Sequence, residues 1–493
     1  MEKKNRIIDG FLLSLKEDFR LKSGRIWVLI LCCLVPIVSI CFSFFYSFFY
    51  YISGFTCLLS IIILSIMNRT MTSTISFLMF LLPFSMILKI PNISIGFYPL
   101  LVAFSVVGFA IEWLIEVKDK KRSLNLISFI PLVVYVTYLF VLYLVKKSSF
   151  INFSTLAVGA LLLFAIVEFI NDVDIKEVFL LFIFGLLLSC FLGIFSKNYP
   201  NLKDFYHVTN ALGVERFSGL FPNTNAFTMN VLMAIGMLSV LYLKGKIRII
   251  FYPLMLLLLV VSFETLSKMT YVVLLVLLVS LFIIKLTRGR KSKGSMYSIL
   301  ALICTIVLSV ILQFNNCLLI SKRLVEPFLN QKEIEQVETE NINTNDSLNE
   351  SIDNNNDSEP NNSLNEFTTG RLDLWKNCIK ELTSNTKSLL FGVDAKEGSD
   401  VMSSIEGSPH NTFLQVMYIT GVIGFTLTLA QIIMYFLIIF RRGFDVGGFV
   451  LLVTILGCFI SLDAFSYIGF IMVSMIMIAF NKGDEKLEER GIK

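Results

Sequence analysis

"EGSPHNTFLQVMYITGVIGFTLTLAQIIMYFLIIFRR", residues 406–442, leaves a polar segment, runs apolar for thirty residues and stops at two arginines. Residues 411–440 carry no charge, and a helix needs only about 17–25 apolar residues to cross hydrocarbon. Backbone inside lipid must satisfy its own hydrogen bonds, which a helix does by itself. The run therefore reads as a membrane-spanning helix. His410, one of two histidines in 493 residues, stands where it leaves the bilayer.

The rest of the chain repeats the pattern. Hydrophobic residues make up 55%, charged residues 16%, and mean hydropathy is +0.76. Further apolar spans read as 26–44, 47–67, 75–90, 94–115, 125–145, 152–170, 178–195, 223–243, 249–263, 267–285, 296–314, 446–461 and 465–480. The expected fold is all-α: a polytopic integral membrane protein of about 12–14 transmembrane helices, with one large extracytoplasmic loop bearing short helices. The divisions are N-terminal spans 1–195, an outer loop 196–222, central spans 223–314, a large outer loop 315–410, and C-terminal spans with a tail, 411–493.

Orientation follows from the distribution of charge. With the N-terminus inside, 27 of the 42 Lys and Arg fall on the cytoplasmic side and 15 outside; eight of the latter lie in 315–410. Long loops do not count toward the positive-inside rule, so 27 stand against 7. Both termini are expected in the cytoplasm. The basic segment 1–25 precedes repeated spans and is not read as a cleaved signal peptide. Seven of nine cysteines lie in apolar runs as small apolar residues. Cys317 and Cys378 lie outside them, and whether they pair is open. No CxxC or Cys/His cluster suggests a metal.

Within the large loop, 330–367 is rich in Asn, Ser, Glu and Asp, a composition that buries too little surface to fold, and is expected to be disordered. "TTGRLDLWKNCIKEL" follows, with Leu372, Trp375, Ile379 and Leu382 on one face of an amphipathic helix. Thr369 or Gly370 would cap it, and it would lie on the membrane surface or on the bundle. Arg371 falls in its first turn.

Both histidines, His207 and His410, and the arginines Arg216 and Arg371 fall outside on this topology; Arg323 is the only other outer arginine. Guanidinium presents a planar fork of donors suited to phosphate. At a helix start Arg371 adds the dipole and free N–H groups to anion binding. Histidine can take a proton from a hydroxyl near neutral pH. Each residue also has a plain reading, since interfacial arginines snorkel to lipid phosphates and a histidine at a helix start can hydrogen-bond locally. Together they suit attack by a hydroxyl on a carbon that carries a phosphate or diphosphate leaving group.

"RFSGLFPNTNAF" (216–227), "TLSKMTYVVLLV" (265–276), "TGRLDLW" (369–375), "FGV" (391–393) and "SPHNTFLQVMYITGVIG" (408–424) occur in this order. Together they resemble the bacterial O-antigen ligase and O-antigen polymerase family over roughly 196–440. The resemblance implies an inverting, metal-independent glycosyltransferase without cofactor, acting on undecaprenyl-diphosphate-linked glycans at the outer face of the cell membrane. Arg216 and Arg371 would hold the diphosphate. His410 would activate the acceptor hydroxyl or help to position it. Asn411 would orient the histidine or contact sugar, and Asn225 would help to position substrate. The family's Ser-Arg stands here as Ser267-Lys268, so Lys268 contacts phosphate without a fork, or snorkels at its helix end.

A lipid-linked diphosphate already activates its anomeric carbon, so no nucleotide sugar is required. A composition rich in Lys, Ile and Asn suits an organism of low genomic GC content and favours polymerisation of a capsular or O-antigen-like polysaccharide over ligation to a lipid core. Expected partners are the lipid-linked donor and acceptor and membrane lipids, with no nucleic acid, and whether a chain-length regulator binds is open. The competing class is a lipid-linked-glycan flippase or other transporter, which would carry ionisable residues in mid-span. Glu112 and Glu168 instead lie near cytoplasmic ends, Asp463 in an outer turn, and no inverted repeat is visible.

Overall fold

The computed structural model describes residues 26–43, 45–46, 48–67, 71–85, 87–88, 97–119, 125–146, 150–196, 216–221, 224–289, 293–322, 371–393, 411–442, 445, 447–461 and 467–481. Among the described residues there is no strand. The helices are α1 (Ile26–Ser43), α2 (Phe49–Met67), α3 (Met71–Leu81), α4 (Phe97–Lys118), α5 (Leu126–Lys146), α6 (Phe150–Phe169), α7 (Ile175–Ser196), α8 (Thr224–Leu243) and α9 (Phe251–Glu264). The order continues with α10 (Lys268–Gly289), α11 (Lys293–Leu312), α12 (Phe314–Lys322), α13 (Arg371–Leu382), α14 (Thr386–Phe391), α15 (Thr412–Arg442), α16 (Gly447–Ser461) and α17 (Tyr467–Phe480).

Each apolar run of the sequence is helical over most of its described residues. α4 to α8 and α15 are long and apolar enough to cross a bilayer by themselves. α11 and α12 pass that test only as a pair bent by 80°, and the other apolar helices present shorter segments. Apolar side chains such as Leu31, Phe104, Ile111, Ile130, Leu275 and Ile311 are about half exposed or more. Such a surface is stable against lipid, not water. The chain is a multi-pass membrane protein.

α8 is the hub. It is apolar on all sides and buried along most of its length, as a helix without a polar face must be. It is surrounded by α7, α9, α10 and α16. α3 is also buried throughout despite a run of hydroxyls. One of these groups is well partnered: Thr72 Oγ1 donates to the Asp172 carbonyl at 2.6 Å and accepts from Asp174 N at 3.1 Å.

Hydrogen bonds sort the connections onto two faces. On one, Lys244 after α8 pairs with Asp445 before α16 at 3.6 Å and donates to the Asn481 carbonyl after α17 at 2.8 Å. Asn481 Nδ2 in turn reaches the Ile170 carbonyl after α6. On the other face, the Arg216 segment, the α9–α10 junction and the α11–α12 bend meet, and the end of α5 meets α14 and α15.

Two features depart from the sequence reading. The large loop expected from 315 opens with α12, a helical continuation turned at Gln313. The long span at 411–440 is not one continuous helix either: Gly421, at φ +70° and ψ −179°, interrupts α15. The acidic stretch 330–367 and the caps Thr369 and Gly370 lie outside the described residues.

Candidate functional site

The segment Arg216–Phe221 turns over the end of the bundle. Gly219 takes φ +57° and lies so close to Gly193 of α7 that a Cβ on Gly193 would stand 2.9 Å from the Gly219 Cα. Phe217 and Phe221 pack on Phe227 of α8, with ring centroids 5.4 and 5.6 Å apart. The aromatic contacts hold Arg216 over the α9–α10 junction. Its Nε donates to the Thr265 carbonyl at 2.9 Å, and Phe217 N donates to the Glu264 carbonyl at 3.1 Å.

That junction is a built break between two helices. Leu266 is buried and its φ is positive, an unusual conformation for a residue with a branched side chain. The surroundings must fix such a backbone, because it is unfavourable by itself. Thr265 Oγ1 accepts from Ser267 N at 3.4 Å and lies 3.3 Å from Thr270 Oγ1. Lys268 then opens α10. Ser267 Oγ donates to Asn225 Oδ1 at 3.4 Å, which ties the start of α10 to the start of α8. Two helix N-termini, with their partial positive charge, thus meet beside Arg216 and Lys268. This is a favourable setting for an anion. At the edge of the patch Glu264 Oε1 accepts from Gln313 Nε2 at 2.8 Å, and Gln313 Oε1 accepts from Asn316 Nδ2 at 2.6 Å.

A second group forms around α15. Asn411 Oδ1 accepts from Phe413 N at 3.0 Å and Leu414 N at 3.1 Å. These are the bonds of a helix N-cap. α13 begins at Arg371, in the first turn as read from sequence, and of the expected face Leu382 is buried and Leu372 and Trp375 are partly buried. Cys378 and Leu382 are buried with Val393 and Tyr418, whereas Ile379 is 50% exposed. Glu381 Oε2 accepts from Tyr418 Oη at 2.6 Å. α13 therefore lies on the bundle, not on the membrane surface alone. Cys378 and Cys317 form no disulfide, and the Cys317 carbonyl accepts from Tyr271 Oη at 2.9 Å.

Arg216, Asn225 and Lys268 thus share one polar patch, while Arg371 and Asn411 belong to α13 and α15. A layer of contacts joins the two groups. Val273, just below Lys268 on α10, packs against Gly457 of α16, and Phe459 of α16 packs edge-on against Phe413, next but one after Asn411. His207, His410 and the Arg371 side chain lie outside what the structure describes. Sequence reasoning missed Glu264, Thr265 and Gln313. A polar "ETLSK" run between two apolar helices was the available signal for the first two.

Residues 253–429 match the family model described as O-antigen ligase. Over this segment, about a third of its length, the chain is similar to the O-antigen ligase family. Enzymes of the family transfer glycans, as ligases or polymerases in surface glycan assembly. No curated protein matches the chain. The O-antigen ligase segment includes Lys268, Arg371, His410 and Asn411, while Arg216 and Asn225 precede it.

Proposed function

We propose that this protein is a polymerase of the cytoplasmic membrane that joins undecaprenyl-diphosphate-linked oligosaccharide repeat units into a surface polysaccharide. Its termini are inside and its site faces outward. The observation that carries this reading is the meeting of two helix N-termini with Arg216 and Lys268 at the edge of an O-antigen ligase segment.

The donor brings its own leaving group. A hydroxyl of one lipid-linked unit attacks the anomeric carbon of another, the new C–O bond forms as the bond to diphosphate oxygen breaks, and the configuration inverts. His410 takes the hydroxyl proton. Undecaprenyl diphosphate departs with the bonding electrons, and Arg216, Arg371 and Lys268 offset its negative charge. Fixed cations and N–H dipoles aimed where charge develops lower the barrier because they need no reorganisation during reaction. No metal is required in this scheme. Asn225 and Asn411 border the sugar, and Asn411 also sets the start of the helix that follows His410.

The test is the length distribution of surface polysaccharide in cells that carry His410→Ala, with membrane abundance of the protein measured alongside. Loss of long chains, with single lipid-linked units accumulating where an external enzyme can cut them, is expected. Normal chain length at normal abundance refutes the catalytic role of His410. Full-length polymer left on its lipid carrier points instead to a ligase. Units trapped on the inner leaflet point to a flippase.

A further inference from the structure

We infer that Lys146, at the end of α5, is a positioning residue that locks α13 and α14 onto the break in α15; this rests on the glycan-transfer reading above. Lys146 Nζ donates to two main-chain carbonyls just past α14, Gly392 at 2.5 Å and Val393 at 3.2 Å. The same short turn is bonded to α15, since Val393 N donates to the Tyr418 carbonyl at 2.9 Å. Two glycines allow the backbones to touch. A Cβ on Gly392 (φ +84°) would lie 2.5 Å from the Ile419 carbonyl oxygen, and one on Gly421 would lie 2.2 Å from that of Leu390. α5 grips the break a second time, where Tyr138 Oη donates to the Thr420 carbonyl at 2.6 Å.

A lysine at the end of a span ordinarily extends to lipid phosphate. Lys146 turns inward onto carbonyls instead, a charge-assisted contact of the stronger kind. What it holds matters for the site. Val393 shares its apolar cluster with Cys378 and Leu382 of α13, which begins at Arg371, and with Tyr418 of α15, which Asn411 caps. Lys146 takes no part in the chemistry itself. It fixes the two helices on which Arg371 and Asn411 stand, from a part of the chain that precedes the O-antigen ligase segment.

The test uses the full chain in lipid nanodiscs as wild type, Lys146→Met and Lys146→Arg. Hydrogen exchange is read at 386–393 and, as control, at 224–243, and polymerisation of lipid-linked repeat units is measured per folded molecule. Lys146→Met is expected to speed exchange at 386–393 at least tenfold with α8 unchanged. It should lower kcat about tenfold with KM within twofold, and Lys146→Arg should restore kcat to within about threefold of wild type. Unchanged exchange in Lys146→Met overturns the lock. Faster exchange with unaltered kcat overturns the positioning role. A wild type that makes no polymer from these units refutes the preceding functional reading and the catalytic half of this one, while the exchange arm still decides the lock.

Discussion

Gly421→Ala is the substitution on which the loop architecture can be judged most sharply. The backbone there stands at φ +70° and ψ −179°. That region is open almost only to glycine, and a side chain in it costs about 1–3 kcal/mol before any contact is counted. The contacts are worse. The new Cβ would stand 2.2 Å from Leu390 O, 2.4 Å from Leu390 C and 2.5 Å from Gly392 N, all main-chain atoms that no rotamer change can move aside. The chain must then give up the docked turn, with the Val393 N bond to Tyr418 and the two Lys146 bonds. At about 1 kcal/mol for the neutral bond and about 1.5–3 kcal/mol for the charged contact, undocking costs about 2.5–4 kcal/mol. Alanine also favours a continuous helix over glycine by about 1 kcal/mol. Backbone strain and helix preference together disfavour the docked form by about 2–4 kcal/mol, which lowers the ratio of docked to undocked chains by roughly one and a half to three orders of magnitude. Susceptibility of the 383–393 segment to a protease added from outside should rise accordingly, while polymer length collapses at normal protein abundance. Gly245→Ala serves as control: its φ is +66°, but nothing lies within 4 Å of the new Cβ. Only a conformational cost of about 1–2 kcal/mol is expected there. Wild-type protease resistance and normal polymer in Gly421→Ala would show that the break does not hold the loop.

Two other perturbations separate roles within the site. Arg216→Lys keeps the charge and loses the Nε bond to the Thr265 carbonyl. Polymer synthesis should fall at least tenfold at equal abundance, since bonds from charged donors contribute about 1.5–3 kcal/mol. Synthesis within twofold of wild type would show that a point charge suffices. Asn411→Ala removes the cap on Phe413 N and Leu414 N. Thermal denaturation should show a loss of about 0.5–2 kcal/mol, whereas Asn411→Asp keeps a capping oxygen and should show none. An alanine variant as stable as wild type would remove the cap from the account.

Helices were legible where lipid alone decides them. The apolar runs at 223–243 and 125–145 needed no tertiary information, because hydrocarbon forces any such run into a helix. The start of α13 at Arg371 was legible for a similar reason, as its amphipathic spacing is local. One position of its buried face was not. Cys378 and Ile379 are consecutive residues, and the choice between them is made by Tyr418 and Val393, which arrive from other parts of the chain. The interruption at Gly421 was hidden because "ITGVIGF" is as apolar as any span; only the backbone of Leu390 and Gly392 pressed against it makes the glycine necessary. The 80° turn at Gln313 was missed likewise, since its polar side chain finds Glu264 across a helix interface.

The site also shows why a functional reading cannot stop at the edge of the O-antigen ligase segment. Thr265 and Ser267 lie inside 253–429, yet the side chains bonded to them, Arg216 and Asn225, lie before it. Gly392 and Val393 are inside, and the ammonium that holds them comes from α5. Glycan transfer between two lipid-linked substrates requires cations, proton acceptor and sugar contacts to keep fixed relative positions, because a displacement of about 1 Å can cost about a hundredfold in rate. A stretch of loop and short helices at a membrane surface cannot provide that rigidity alone. The central helix α8, buried along most of its length, anchors Asn225, and α5 anchors the turn after α14. Under the proposed function, the spans that precede the matched segment support the site, and substitutions at Lys146 or Asn225 are expected to lower glycan transfer.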